Sequence, residues 1–366
     1  MLKFRFAIAS DLHIALPHTV YDHPNRFHLV EYSIPAFEAV LEHLQILDID
    51  FLLLPGDLTQ HGEAENHRWL SNRLAQLPYP VYVIPGNHDV PSLSSLDQFA
   101  PCYRRYGYSH TDELYYAVEL LPGVRLIGMN SNLFDAEEWQ IGAVDEEQLA
   151  WLQHTLAKGD YGVNLLMIHH NILPHVPQQE TLPLGKRYML QNAEALCEIL
   201  QRYGVHFVFT GHLHVQDIAY SDRYDLYDIT TGSLVSYPHP YRLLEFTGDG
   251  TKQELRITSY RVTAIPQQAD LLHFSREWMG DRAAPFLRNL LIHPPLNLPP
   301  AQVEPLLQEL RYFWADIAAG DAQFSFPHFP PSARQFLEEF SDQPPADNHA
   351  KLVVYSNLGE DRRAPH

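Results

Sequence analysis

Four short apolar runs in this chain each stop at a polar string, and that pattern leaves few folds open. Phe51-Leu-Leu-Leu54 leads into Gly56-Asp57, and Val81-Tyr-Val-Ile84 into Gly86-Asn87-His88-Asp89. Leu165-Leu-Met-Ile168 leads into His169-His170, and Phe207-Val-Phe-Thr210 into Gly211-His212-Leu213-His214. Runs this short and this apolar, with no polar alternation, read as strands buried on both faces. A polar residue one or two positions past such a strand lies at the carboxyl edge of a sheet, where open α/β folds gather their sites. A fifth string, Asp11-Leu12-His13, follows the alternating segment that opens the chain.

Between these strings the apolar spacing alternates. Strands are predicted over 3–9, 50–54, 81–84, 115–120, 124–130, 163–168 and 205–210, with helices over 31–47, 64–76, 95–106, 145–157 and 191–203. Strands at 226–231, 241–246 and 253–263 follow, with turn signals at Gly232 and Gly248-Asp249-Gly250. A parallel βα half followed by a strand-rich half predicts an α/β domain over residues 1–265, two sheets face to face with helices outside. After Ile265-Pro266 the spacing turns to threes and fours in 268–279, 284–292 and 302–318. Residues 266–366 are therefore expected to form a helical C-terminal region: a cap, a lid, a pad on a sheet edge, or a contact in a homo-oligomer. Its last dozen residues are expected to fray.

Composition narrows the partners. Twenty-five Lys and Arg against 45 Asp and Glu give a net charge of −20, a field that repels extended nucleic acid. Bound divalent cations would reverse that potential locally and admit a small phosphate ester. No apolar run approaches the roughly 18 residues that a membrane helix needs. The opening segment lacks a signal-peptide core, so a cytoplasmic location is expected. Cys102 and Cys197 imply no disulfide framework. Many of the 22 histidines crowd around the polar strings, a density better explained by metal and phosphate chemistry than by packing.

Asp11 and His13 alternate along what reads as an extended segment, so both side chains can face one ion. Asp57 has two oxygens with which to bridge two cations. A mixed His, Asp and Asn set suits Zn, Mn or Fe rather than Ca, and the lack of a Cys ligand speaks against a closed structural zinc site.

The order Asp-x-His, Gly-Asp, Gly-Asn-His-Asp, His, Gly-His-x-His resembles the calcineurin-like metallophosphoesterases, from residue 4 to about 250. The resemblance implies a four-layer α-β-β-α sandwich of two mixed sheets and two divalent or trivalent ions. Asp11, His13 and His214 would hold one ion, Asn87, His169 and His212 the other, and Asp57 both. His170 would contact substrate, although the pattern leaves an exchange of roles with His169 open. His88 would sit over the phosphoryl group, with Asp89 orienting its ring through the other nitrogen. Two ions about 3.5 to 4 Å apart would hold a hydroxide in line with phosphorus.

Within that family, Gly56-Asp57-Leu58-Thr59 lacks the Asp-Arg of Ser/Thr protein phosphatases, and Asp89 stands where those enzymes carry Glu. The segments Gly62–Asp89, Tyr188–Asn192 and Thr231–His239 look like class III cyclic nucleotide phosphodiesterases and their glycerophosphodiesterase relatives. The expected function is hydrolysis of small phosphodiesters, with a phosphomonoesterase as the alternative and a non-catalytic scaffold as a third reading. Specificity is expected in three loops: 14–28 (His18, Tyr21, His23, Arg26), 171–188 (His175, Lys186, Arg187, Tyr188) and 232–242 (Tyr237, His239, Arg242). His239 is assigned to substrate binding with His88 and His170.

Overall fold

A computed structural model describes residues 1–21, 26–159 and 161–355. The strands in chain order are β1 (Leu2–Ile8), β2 (Phe51–Leu54), β3 (Val81–Val83), β4 (Tyr116–Leu121), β5 (Val124–Gly128), β6 (Asn132–Phe134), β7 (Gln140–Gly142), β8 (Val163–Met167), β9 (Phe207–Thr210), β10 (Asp217–Ser221), β11 (Leu226–Thr230), β12 (Pro240–Gly248), β13 (Lys252–Arg261) and β14 (His349–Tyr355). The helices are α1 (Ser33–Gln45), α2 (Ala64–Leu74), α3 (Leu93–Cys102), α4 (Glu146–Ala157), α5 (Pro183–Lys186), α6 (Ala193–Arg202), α7 (Leu271–Ile292), α8 (Pro300–Glu309), α9 (Phe313–Ala319) and α10 (Pro331–Glu338).

Two six-stranded sheets form the body, in the orders β14-β13-β12-β1-β2-β3 and β10-β11-β9-β8-β5-β4. Both are mixed. In the first, β1, β2 and β3 run parallel while β12, β13 and β14 pair antiparallel. In the second, β11, β9, β8 and β5 run parallel between antiparallel edges. The sheets meet through aromatic rings: Phe6 lies edge-on to Phe209 at 5.5 Å, and Phe207 to Phe246 at 6.4 Å.

The absence of polar alternation in the central strands now has its cause. In β9, Phe207 and Phe209 enter the core shared with the first sheet, while Val208 turns to a second core with Leu152 of α4 and Leu196 and Leu200 of α6. Alternate side chains face opposite layers, and both layers are apolar. Phe37 and Leu41 of α1 and Leu70 of α2 pack with the first sheet. This is the four-layer arrangement that the motif order implies.

The C-terminal region departs from its expected form in two ways. The two periodic segments at 268–279 and 284–292 are one 22-residue helix, α7, that runs through Pro285. Pro285 is exposed, so its ring sits on the solvent side, where a helix tolerates the lost N–H by a slight opening. The region is also not wholly helical, because β14 returns to the edge of the first sheet with Leu352 opposite Leu255. Helices α7 to α10 share a third apolar cluster that takes in Leu213 and Val215 from the body. The expected fraying at 356–366 concerns residues outside the described ones. Among the described residues no helix is long and apolar enough to cross a membrane.

Candidate metal centre

The polar strings converge because backbone pairing continues past the strand ends. The Asp11 N–H donates to the Gly56 carbonyl at 3.2 Å and the His13 N–H to the Asp57 carbonyl at 2.9 Å. Asp11, His13, Asp57, His212 and His214 all have positive φ, between 44° and 67°. Asp11 and His13 are therefore not extended, as the spacing had suggested; left-handed backbone at each turns both side chains inward. Such conformations cost about 1–3 kcal/mol each and persist where surrounding structure over-determines them. Two glycines make room. A Cβ on Gly86 would strike the backbone nitrogen and carboxylate of Asp57, and one on Gly211 would strike Ser10 Oγ and Asp11 Oδ2.

Two donor sets share one carboxylate. Asp11, His13, Asp57 and His214 form the first, and Asp57, His169 and His212 the second, each with ligand atoms within 4.8 Å of one another. His214 Nε2 lies 3.0 Å from Asp11 Oδ1 and 3.4 Å from His13 Nε2. Asp57 Oδ2 lies 3.4 Å from His169 Nε2 and 3.8 Å from His13 Nε2. Asn87 Oδ1 is 3.2 Å from His169 Nε2, aimed at the same point. The Pro55 carbonyl accepts from His169 Nδ1 at 2.8 Å, so that nitrogen carries the proton and Nε2 is left to ligate. The His88 N–H donates to Asp57 Oδ1 at 2.8 Å, holding the shared carboxylate from behind.

His88 stands beside the donor sets with its ring edge-on to His13 at 4.7 Å. Asp89 does not orient it. The Gln60 carbonyl accepts from His88 Nδ1 at 2.7 Å, while the buried Asp89 carboxylate accepts from the backbone N–H groups of Leu58, Thr59 and Gly86 at 2.8–2.9 Å and from the Thr59 hydroxyl at 2.9 Å. Asp89 thus clamps the Asp57 loop to the Asn87 loop. A side chain adjacent in sequence to a histidine points away from it here because the loop's unpaired N–H groups are the stronger claim.

His169 falls in the second donor set and His170 beside it. His170 lines the cavity over the donor sets, its Nδ1 2.8 Å from Ser131 Oγ and its ring 4.3 Å from that of His212. His239 is elsewhere: fully buried, with Nδ1 bonded to the Leu234 carbonyl at 2.9 Å, and absent from the cavity wall. Its assignment to substrate contact does not hold. Arg26, Lys186, Arg187 and Tyr188 do line the cavity. Arg242 instead lies in the core, donating to the carbonyls of Asp347 and Thr230, and His175 is held by Asp217 and Asp228. His18 pairs with Glu65 on the surface and Tyr21 is exposed; His23 lies outside the described residues.

One histidine without an assigned role belongs here. His28 lies 4.5 Å ring to ring from His214 and 4.7 Å from His13, within donor reach of both. Its only signal in the sequence is membership of the histidine-rich stretch, because it follows no strand. The Arg26 carbonyl beside it accepts from the Trp278 indole of α7 at 3.2 Å, so the C-terminal region fixes this loop.

The electrostatics suit cations. Burial, ahead of the neighbouring histidines, pushes His13, His28 and His212 well below the usual histidine range, and neutral imidazole is the form that ligates. Burial would also lower His169, but Asp57 raises it to about 9. Asp11 and Asp57 are buried, and among the described residues their ion-pair partners are histidines. Two buried carboxylates beside His13, His28 and His212, which burial holds neutral, fit divalent cations.

The fold is an α/β sandwich whose strand ends bring together two candidate metal-donor sets with Asp57 in both. The chain belongs to the calcineurin-like phosphoesterase family, which matches residues 4–216. It is 26% identical over 196 residues to a protein of Moraxella catarrhalis named probable cyclic nucleotide phosphodiesterase, covering 50% of this chain and 64% of that one. It is 29% identical over 171 residues to one of Arcobacter nitrofigilis named probable glycerophosphodiester phosphodiesterase, covering 45% and 56%. The chain thus spans less than two thirds of either relative's length. A dimetal phosphatase from Danio rerio superposes at TM-score 0.49 and 15% identity, over 69% of this chain and 95% of that one.

Proposed function

We propose that this chain hydrolyses small phosphodiesters at a binuclear metal site, with Asp57 shared by both ions. The observation that carries this is the membership of Asp57 in both donor sets, with His88 facing the same cavity. When bound, two ions would lower the pKa of a shared water and neutralise the nonbridging oxygens. The chain's own groups complete the arrangement. Asp11, His13 and His214 hold one side; Asn87, His169 and His212 hold the other. Because Gln60 accepts from Nδ1 of His88, the Nε2–H of the protonated ring is the one available to a departing alkoxide. His170, 4.3 Å ring to ring from His212 and in the same cavity wall, is placed to donate to a nonbridging oxygen.

Preference for a diester is supported by the names borne by the two relatives. Cationic side chains reach the cavity as well: Arg26 pairs with Glu31 at 3.0 Å through Nη2 and keeps Nε and Nη1 without a partner among the described residues, and Lys186 and Arg187 line the same wall. The test is initial-rate screening of metal-reconstituted protein against bis(p-nitrophenyl) phosphate, p-nitrophenyl phosphate, cyclic nucleotides and glycerophosphodiesters. Diesters should give the higher kcat/KM. If p-nitrophenyl phosphate outruns every diester at saturating Mn, the chain is a phosphomonoesterase.

A further inference from the structure

The cavity over the donor sets is far larger than a phosphoryl group requires. It encloses about 880 Å³, toward the top of the range for small-molecule sites. One end is polar, walled by Asp57, Asn87, His88, His170 and His212. The other is walled by the C-terminal region, with Met279, Phe286 and Leu290 from α7, Trp314 from α9 and Phe340 just past α10. Spacings of seven and four place the three α7 residues on one face. At 1.5 Å per residue, Met279 to Leu290 covers about 16 Å.

This wall is continuous with the metal-ligand loop. Leu213, between His212 and His214, packs in the same apolar cluster as Ala283, Leu287 and Leu291 of α7. Phe286 and Trp314 meet edge to face at 5.2 Å, which fixes both rings. Gln179 beside this wall is engaged, its carbonyl oxygen accepting from the His175 N–H and its amide donating to Asn171, while Asn289 and His293 border the wall at the end of α7. Every residue of the wall from Met279 onward lies beyond residue 216, where the family match ends.

We propose that this wall is a subsite for a hydrocarbon chain, so that the substrate is an amphiphilic phosphodiester with one polar ester arm and one alkyl or acyl arm, of the lysoglycerophospholipid type. A flexible chain fits a long wall of mixed aliphatic and aromatic side chains, which Met279, Phe286, Leu290, Trp314 and Phe340 provide. A cyclic nucleotide, with both ester oxygens on one ribose, leaves most of the wall uncovered. The proposal rests on the phosphodiesterase reading for turnover but not for binding.

Two measurements on the metal-loaded full chain test it. The first is kcat/KM for p-nitrophenyl methyl, butyl and octyl phosphate, below their micellar concentrations and with a common leaving group. The second is the affinity, by calorimetry, for the methyl esters of methyl-, butyl- and octylphosphonic acid, which are inert on that timescale. Burial of each methylene should raise kcat/KM and affinity about threefold to fourfold, and Phe286→Ala or Trp314→Ala should cut the octyl-to-methyl ratio at least tenfold. Equal affinity for the methyl and octyl phosphonates overturns the subsite, as does a kcat/KM for 3′,5′-cyclic AMP above that for the octyl diester. Affinity that rises with chain length without turnover of any diester upholds the subsite and overturns the phosphodiesterase reading instead.

Discussion

The Gln60 carbonyl accepts from His88 Nδ1 at 2.7 Å, so the ring is steered by backbone and its Nε2 is left for the cavity. A carbonyl only accepts; Nδ1 carries the proton in either charge state. His88→Ala should leave both ions bound and lower kcat by roughly 10² to 10⁴, the range for a general acid or base. The loss should shrink for a p-nitrophenolate leaving group, which barely needs protonation. Equal losses for good and poor leaving groups would assign His88 to charge stabilisation instead.

Asp89 has a different consequence. Its carboxylate is the acceptor for four donors on two loops. Asp89→Ala should lower stability by roughly 3 kcal/mol or more, since unsatisfied buried donors cost about 1–3 kcal/mol each. Chemical denaturation of the metal-free protein measures it. A variant of unchanged stability whose kcat falls as far as that of His88→Ala would restore a direct role on the His88 ring.

His28 supplies a third prediction. Its position beside His13 and His214 should make His28→Ala weaken one ion of the pair by about 10- to 100-fold, as loss of a supporting group does at metal sites. Competition with a chelator reads the two affinities separately. Unchanged affinity for both ions would confine His28 to packing.

The buried His175 sets a pH dependence away from the metal centre. Burial would lower its pKa, but Asp228 and the 2.6 Å contact with Asp217 lift it to about 10. The folded value is above the unfolded one of about 6.5. Its stabilisation is therefore full below about pH 6.5 and is lost as pH rises through about 10. The Tm gap between the wild type and His175→Gln should be widest at pH 6 and narrow by pH 10. A constant gap would mean that His175 is not charged in the fold.

Strand ends were legible in the sequence because strands buried on both faces have no polar alternation, as Phe207, Val208 and Phe209 show by facing two different cores. The residues that the fold brings into the two donor sets, Asp11, His13, Asp57, His169, His212 and His214, with Asn87 beside His169, all come from the polar strings marked in the sequence. What stayed hidden depends on partners distant in the chain. β14 pairs with β13 only after the chain has traversed α7 to α10, and no local pattern announces that return. The interruption left between the periodic segments 268–279 and 284–292 closes into the single helix α7. Asp89 and His239 look like site residues by adjacency, yet one serves backbone donors and the other the core.

The central claim is a two-ion site joined by Asp57, and metal stoichiometry tests it most directly. Protein reconstituted with excess Mn or Zn and then desalted should carry close to two ions per chain by elemental analysis, and Asp57→Asn should lose at least one of them. A ceiling of one ion under saturating conditions, with Asp57→Asn no different from the wild type, would contradict the account.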